Sequence, residues 1–330
     1  MRIGLALPQY DYSVAGERPL RFDTVAAQAR AAEDCGYDSL WLSDHLVLDL
    51  AKYGGSPDRE GAFEPLVTLA ALSRIVTRAR LGTLVLLEAL RPAAVLAHAI
   101  ATLDRLSGGR IDVGLGAGWY EPDYEAIGRS MPGPGERLEG LREAVEILTG
   151  LLRGETVTVE GAHHRARGAQ LSSCPGGRPR PPVFVGGKGD RLLRLAARHA
   201  DGWNTCWVWT PEAYRERLGV LERECAAADR DPATVWRSVG LYALCGEDDG
   251  DLEARFERLR RQSPPGVLDE TLEQWRRGRL VGTVEQIREQ AERWASLGVE
   301  TLILNVGAVP FQVGDADDVT ALAEALKPLP

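Results

Sequence analysis

The segment Leu81–Gly116, LGTLVLLEALRPAAVLAHAIATLDRLSGGRIDVGLG, contains one full unit of the pattern that decides the fold. The short apolar run Leu81–Leu86 predicts a buried strand, and the amphipathic stretch Ala93–Leu106 predicts a helix. Two glycines follow that stretch, and glycine commonly adopts the left-handed conformation that ends a helix. Ile111–Gly116 then predicts a second strand. A helix between two strands indicates a parallel pair joined by a crossover.

The same alternation continues toward both ends of the chain. Further strands are predicted at Arg2–Pro8, Ser39–Ser43, Pro182–Val185, Gly202–Thr205, Trp236–Leu244 and Thr301–Val306. Further helices are predicted at Phe22–Cys35, Pro65–Thr77, Leu138–Leu152, Asp190–His199, Pro211–Asp229, Val284–Leu297 and Val319–Leu326. This number of short apolar strands favours an α/β (β/α)8 TIM barrel over a doubly wound sheet. We predict one domain over residues 1–330.

Three longer segments interrupt the alternation, near residues 46–62, 155–181 and 246–280. The second contains a predicted hairpin at Thr156–Arg167. In β/α barrels such insertions often lie over the mouth, where the strands end. We therefore expect all three at the C-terminal rim.

Composition restricts the possible partners. The chain has 39 basic and 48 acidic residues, a net charge of −9, which offers no general attraction for nucleic acid or anionic membranes. No stretch approaches the ~20 apolar residues of a membrane helix, and the first residues do not resemble a signal peptide. Five cysteines without CxxC spacing indicate reduced thiols and no metal site. We expect a cytoplasmic protein that acts on a small molecule.

Ser43, Asp44 and His45 follow the second predicted strand, at the rim where barrel enzymes place catalytic groups. Histidine titrates near neutral pH, and an adjacent carboxylate can orient it for proton transfer. The alternative is that Asp44 caps a loop or helix and His45 is incidental. Position alone leaves both interpretations open.

The fourth predicted strand ends in the sequence GLGAGW at 114–119. It is not a Rossmann fingerprint, because the glycines end a strand and the third glycine of GxGxxG is missing. Small residues at Gly116, Ala117 and Gly118 would let a flat coenzyme approach the backbone closely. A glycine-rich loop that only needs unusual dihedral angles is the alternative.

The fifth predicted strand ends in Gly186, Gly187, Lys188 and Gly189, directly before a helix. Backbone N–H groups at a helix start attract anions, and Lys188 adds a positive charge, so we predict a site for a coenzyme phosphate. The segment is too short for a Walker loop, which argues against nucleotide triphosphate hydrolysis. A glycine-capped turn without a ligand is the alternative.

Four tryptophans follow the fourth and sixth strands and suggest a stacking wall for a planar or apolar ligand. They are Trp119, Trp203, Trp207 and Trp209, and tryptophan also serves as a purely structural residue. Our candidate substrate contacts are Gln9, Trp119, Asn204 and Trp207.

Other catalytic patterns are missing, since the chain has no GxSxG elbow, no HExxH and no evident glycosidase pair. Four carboxylates at plausible rim positions are secondary candidates, although each is more often a solvated loop residue: Asp11, Glu88, Glu121 and Asp123.

The sequence resembles the luciferase-like monooxygenase superfamily and, within it, the branch that uses the deazaflavin coenzyme F420. The resemblance spans nearly the whole chain. It is carried by MRIGLALPQ at 1–9, GYDSLWLSDH at 36–45, the stretch 78–128, VFVGGKGDRLLRLAARHADGWN at 183–204 and LVGTVEQI at 280–287.

The resemblance implies a barrel whose coenzyme ring lies at the strand ends, with Asp44 and His45 as catalytic residues and His45 handling a proton. It also implies a bulge at Leu84-Val85, where a non-prolyl cis peptide backs the ring. The implied coenzyme contacts are Asp44, His45, Leu84, Val85, Gly116, Ala117, Gly118, Gly186, Gly187, Lys188 and Gly189. Members of this family are commonly homodimers, so a homodimer is expected.

The chain departs from the sugar-phosphate dehydrogenases of this branch, which carry a glutamate where Trp119 stands. The stretch Thr205–Trp209 also lacks their lysine for a sugar phosphate. A small apolar or aromatic substrate fits the tryptophans better. The leading hypothesis is an F420-dependent oxidoreductase that transfers a hydride to or from such a substrate. The alternatives are a monooxygenase using reduced FMN and O2, and a barrel without catalytic activity.

Overall fold

A computed structural model describes residues 1–171 and 180–327, and its centre is a closed barrel of parallel strands. The barrel strands are β1 (Arg2–Ala6), β2 (Ser39–Leu42), β3 (Arg80–Thr83), β4 (Ile111–Gly116), β5 (Val183–Gly186), β6 (Gly202–Trp207), β7 (Trp236–Gly246) and β8 (Thr301–Asn305). Each pairs in parallel with its neighbours in chain order, and β8 pairs with β1 to close the ring. The predicted (β/α)8 barrel is confirmed.

Helices surround the barrel and bury their apolar faces against it. They span Phe22–Cys35, Pro65–Leu72, Ala93–Ser107, Glu121–Ala126, Pro134–Leu152, Asp190–His199, Pro211–Ala226, Asp249–Gln262, Leu272–Trp275, Val284–Ser296 and Ala316–Leu326. Capping side chains fix several starts: the Thr210 side chain accepts from the N–H of Ala213, and that of Asp248 from the N–H of Asp251. None of the described helices is long and apolar enough to span a bilayer.

Several predicted elements have different ends in the structure, among them the helix after the second strand and the third strand. The helix predicted at Pro65–Thr77 stops at Leu72. Beyond it, the carbonyl oxygens of Ser73 and Val76 accept hydrogen bonds from the Arg110 guanidinium, at 3.1 and 3.0 Å, instead of from helical N–H groups. The strand predicted at Leu81–Leu86 is interrupted after Thr83 and resumes as the short strand Leu86–Leu87, which pairs with β4.

The insertions form small structures of their own. Within 46–62, the short strands Val47–Leu48 and Glu60–Gly61 pair antiparallel around the 3-10 turn Ala51–Tyr53. The predicted hairpin lies at Val157–Glu160 and Arg165–Ala169. The segment 246–280 contains two helices. Residues 172–179 of the insertion 155–181, including Cys174, lie outside the described residues, and the four described cysteines are unpaired.

Aromatic rings fill the barrel interior below its mouth. The Trp41 ring stacks on Trp236 at 6.3 Å between centroids and meets the edge of Phe184 at 5.8 Å. A Cβ on Gly82 would lie 2.2 Å from the Trp41 ring, so only glycine leaves room for the indole there. This aromatic plug closes the barrel underneath the mouth, and a site can form only above it.

Candidate active site

A cavity of about 590 Å³ opens at the carboxyl ends of the strands, above the aromatic plug. All but two of the candidate site residues line it. Those that do are Asp44, His45, Leu84, Val85, Gly116, Ala117, Gly118, Trp119, Gly186, Gly187, Lys188, Asn204 and Trp207. Gln9 and Gly189 do not line the cavity.

The cavity floor is built around Val85. The Leu84–Val85 peptide is cis, as the resemblance implied, and a second cis peptide at Cys206–Trp207 was not foreseen. A Cβ on Gly116 would lie 2.7 Å from a Val85 methyl group, and one on Gly186 would lie 2.9 Å from the other. These two glycines therefore make room for the Val85 side chain, a reason that the sequence did not reveal.

Asp44 is buried and forms an ion pair with Arg91. Its carboxylate accepts from both terminal guanidinium nitrogens at 2.7 and 3.0 Å and from the N–H of Leu87 at 2.9 Å. Burial raises the pKa of Asp44, while Arg91 and the Leu87 N–H oppose that rise. The expectation that this carboxylate orients the neighbouring histidine was wrong, because its oxygens face Arg91.

His45 is oriented by a different carboxylate. Its Nδ1 lies 2.6 Å from an Asp123 oxygen, and the other Asp123 oxygen accepts from the N–H of Leu46 at 2.9 Å. Asp123 is 1% exposed, so the view of it as a solvated loop carboxylate was wrong. With Nδ1 engaged, Nε2 is the ring nitrogen left for a ligand. The ring is also held by edge contacts with Trp119 and Tyr120, at 5.5 and 5.6 Å.

Two cations line the part of the cavity near the ends of β4 and β5. Lys188 is exposed and has no carboxylate oxygen within 4.0 Å among the described residues. Arg137, from the helix Pro134–Leu152, lines the same cavity and donates to the carbonyl oxygen of Pro132 at 2.6 Å. Its Nε is buried without an acceptor in the described chain. Sequence analysis missed Arg137, because nothing local distinguishes it from other helical arginines.

The predicted tryptophan wall is half right. Trp119 and Trp207 line the cavity, whereas Trp203 and Trp209 pack outside it against Tyr214. Trp203 stacks on that tyrosine with centroids 4.9 Å apart and donates to the carbonyl oxygen of Gly187 at 2.7 Å, so its role is structural.

Three aromatic residues that the sequence did not single out complete the wall: Tyr10, Tyr53 and Phe311. Phe311 meets Trp207 edge-on at 5.5 Å and adopts a positive φ of 58°. The Asn305 side chain accepts from its backbone N–H at 2.5 Å and so holds the ring in place. No local pattern predicts this contact, because Phe311 lies in the loop after β8.

Gln9 supports the rim from below. Its Nε2 donates to the carbonyl oxygens of Ser43 and Phe63, each at 2.8 Å, while its Oε1 accepts from the N–H of Ser43 at 2.7 Å. The side chain is buried, and both ends of its amide are engaged. The predicted substrate contact is therefore a residue that fixes Ser43.

The other three secondary candidates lie apart from the cavity lining. Glu88 is buried and accepts from His164 Nε2 at 2.7 Å, in contact with the 157–169 hairpin. Asp11 accepts from the N–H of Leu20 at 2.9 Å, and Glu121 is exposed at the start of a helix.

The fold and the cavity define the class: a β/α barrel enzyme framework with its site at the carboxyl ends of the strands. The model of the luciferase-like monooxygenase family matches residues 1–321. The chain belongs to the luciferase-like monooxygenase family.

Relatives and a solved structure add detail. The F420-dependent hydroxymycolic acid dehydrogenase of Mycobacterium tuberculosis is 29% identical over 94% of this chain and 84% of its own length. The F420-dependent glucose-6-phosphate dehydrogenase of Microbacterium testaceum is 34% identical over 57% of this chain and 53% of its own length. A solved F420-dependent secondary alcohol dehydrogenase with an F420-acetone adduct superposes with a TM-score of 0.77 at 20% identity, covering 98% of each chain.

Proposed function

We propose that the protein is an oxidoreductase that uses coenzyme F420 for hydride transfer to or from a small apolar or aromatic organic substrate. The coenzyme assignment is supported by relatives whose names carry F420 dependence, one of them matched over 94% of this chain. The substrate class is supported by the aromatic side of the cavity, with Trp119, Trp207 and Phe311.

The observation that carries the proposal is the arrangement of the cavity. His45, with Nδ1 held by Asp123, lies on the same cavity as two cations, Lys188 and Arg137. A coenzyme with a flat ring and a phosphate-bearing chain needs both a floor for the ring and cations for the chain. The buried Arg137 Nε without an acceptor fits an anionic group there.

In this proposal Val85 and the glycines at 116 and 186 would support the coenzyme ring. Lys188 and Arg137 would hold its anionic chain. When bound, the deazaflavin ring accepts or donates the hydride. His45 Nε2 gives a proton to the substrate oxygen or takes one from it, and Asp123 fixes the ring orientation and stabilises the charged imidazole. The aromatic wall limits access of water to the reacting atoms.

Titration of the purified protein with F420 and with FMN, followed by tryptophan fluorescence, tests the coenzyme. We expect F420 to bind at micromolar concentration and FMN to bind at least tenfold more weakly. Tight binding of FMN alone would reject the proposal in favour of a reduced-flavin monooxygenase using O2; the matching family is described as luciferase-like monooxygenase.

We also propose a homodimer formed through the helices Pro65–Leu72 and Ala93–Ser107. The first helix is apolar around much of its surface, and Val67 is 71% exposed; Val95 on the second is 60% exposed. Exposed apolar side chains on adjacent helices are typical of an interface. Sedimentation analysis should give twice the chain mass, and V67E/V95E should give a monomer. A monomeric wild type would reject this interface.

A further inference from the structure

We propose that the substrate carries an anionic group, such as a carboxylate, on a planar aromatic body, and that the Lys52 ammonium recognises this group. The inference deepens the proposed function and rests on it. It concerns the part of the cavity wall that the 46–62 insertion forms, where Lys52 lies over the Trp119 ring.

The first argument is the distribution of lysines. Only three of the 39 basic residues are lysines, Lys52, Lys188 and Lys327, and all the others are arginines. Two of the three line the same cavity. Arginine and lysine are not interchangeable, because the ammonium is a compact point charge whereas the guanidinium is a broad planar fork. A chain that uses arginine almost everywhere has ammonium groups at its site.

The second argument is that the charge of Lys52 is not neutralised. Its Nζ lies 3.8 Å from the centre of the Trp119 ring, and no carboxylate oxygen lies within 4.0 Å in the part of the chain described. Asp49, three positions earlier, could have paired with it. The Asp49 carboxylate instead accepts from the Tyr120 hydroxyl and from the N–H of Ala51.

The third argument is that the nearby cavity walls carry no counter-charge. Burial raises the pKa of Tyr53 well above its usual value, so its hydroxyl is neutral at physiological pH. The two carboxylates of the cavity, Asp44 and Asp123, already face Arg91 and His45. Lys52 is therefore a free cation at the edge of an aromatic surface.

An aromatic anion satisfies both features at once. Its ring would lie among Trp119, Trp207 and Phe311, and its anionic group would meet Lys52 at the mouth. Lys52 is exposed, so the attraction is partly screened and we expect about a fivefold effect on affinity.

The experiment compares 2-naphthoate with 2-naphthamide, which share shape and differ in charge. Binding of each is measured by calorimetry on the F420-loaded protein, so that the coenzyme covers Lys188 and Arg137. We expect wild type to bind naphthoate about fivefold more tightly. Lys52→Met should remove this preference without weakening naphthamide binding. Lys327→Met makes the same chemical change next to Gly36, at the opposite end of the barrel, and should retain the preference.

Equal affinity for the two probes in wild type would overturn the proposal, as would failure of both to bind. A preference that survives in Lys52→Met would also overturn it. F420 binding is recorded in the same samples. If the wild type binds F420 but shows no preference for naphthoate, the proposed substrate class is rejected and the proposed function stands, whereas absence of F420 binding rejects the proposed function. Raising the salt concentration should reduce the wild-type preference.

Discussion

Asp44 and His45 are neighbours in the chain, yet each belongs to a different ion pair. Asp44 pairs with Arg91, a cation that keeps its charge at all relevant pH values, and the pair also holds the backbone at Leu87. His45 pairs with Asp123 through Nδ1, which leaves Nε2 on the cavity side available to a reactant. The comparison teaches that one residue of this dipeptide stabilises the rim and the other is available for chemistry.

The largest effect is expected from breaking the first pair. Arg91→Met leaves the buried Asp44 charge without its partner, and we expect a loss of about 3–5 kcal/mol in the free energy of unfolding. The pKa of Asp44 is already raised by burial and should rise further. A carboxyl whose folded-state pKa exceeds its unfolded value favours folding as pH falls. The destabilisation should therefore shrink as pH falls through the folded-state pKa of Asp44 toward its unfolded value.

Chemical denaturation at several pH values checks this prediction. The control is Asp44→Asn/Arg91→Met, which removes both charges and should recover much of the stability at neutral pH. Equal stability of wild type and Arg91→Met would show that Asp44 is not held as a buried anion.

Breaking the second pair should affect activity more than stability. His45→Ala removes the group proposed to carry the proton, so turnover should fall by about 10²–10⁴-fold while F420 affinity changes little. Steady-state kinetics and coenzyme titration measure the two quantities separately. The matched control is His163→Ala, at an exposed position in the turn of the 157–169 hairpin, which should keep wild-type turnover. Unchanged turnover in His45→Ala would reject its assignment.

Asp123→Asn sharpens the comparison, because it keeps the shape of the partner and removes its charge. We expect an intermediate loss of turnover, about 10- to 100-fold, since the ring keeps its contacts with Trp119 and Tyr120. Asp123→Glu should restore part of the activity. A purely structural role would instead lower stability and turnover together and leave the glutamate variant no better than the asparagine one.

The smallest effect is expected at the outer partner of Arg91. Glu64 contacts the same guanidinium at 2.5 Å, but its side chain is 40% exposed. Such a pair contributes about 0–1 kcal/mol, so Glu64→Gln should shift thermal unfolding only slightly and leave turnover unchanged. A loss as large as that of Arg91→Met would mean that Glu64 shares the buried charge equally.

The sequence predicted the parts of this molecule that depend on local pattern. The helices Phe22–Cys35 and Asp190–His199 and the strand Ile111–Gly116 have the predicted bounds, because periodicity and flanking glycines act within a few residues. Most candidate residues were chosen because they follow a predicted strand, and in the structure most of them line one cavity at the carboxyl ends of the strands.

The sequence did not predict which side chains pair with those candidate residues. His45 and Asp123 are 78 positions apart, and Asp44 and Arg91 are 47 apart. Only the closed barrel brings each pair together. Sequence adjacency suggested an Asp44–His45 pair, but folding turns the two side chains toward different partners. Lys52 and Phe311 were missed because loop positions over a barrel mouth have no periodicity to reveal them.

The Trp41, Phe184 and Trp236 rings below the cavity have a kinetic consequence. Since they close the barrel from underneath, a ring lying on Val85 is approached from one side. The reactant that lies deeper must arrive first, and the one above it must leave before the deeper one is released. Such a stacked arrangement predicts an ordered sequence of binding, in which a dead-end analogue of the second reactant traps the first.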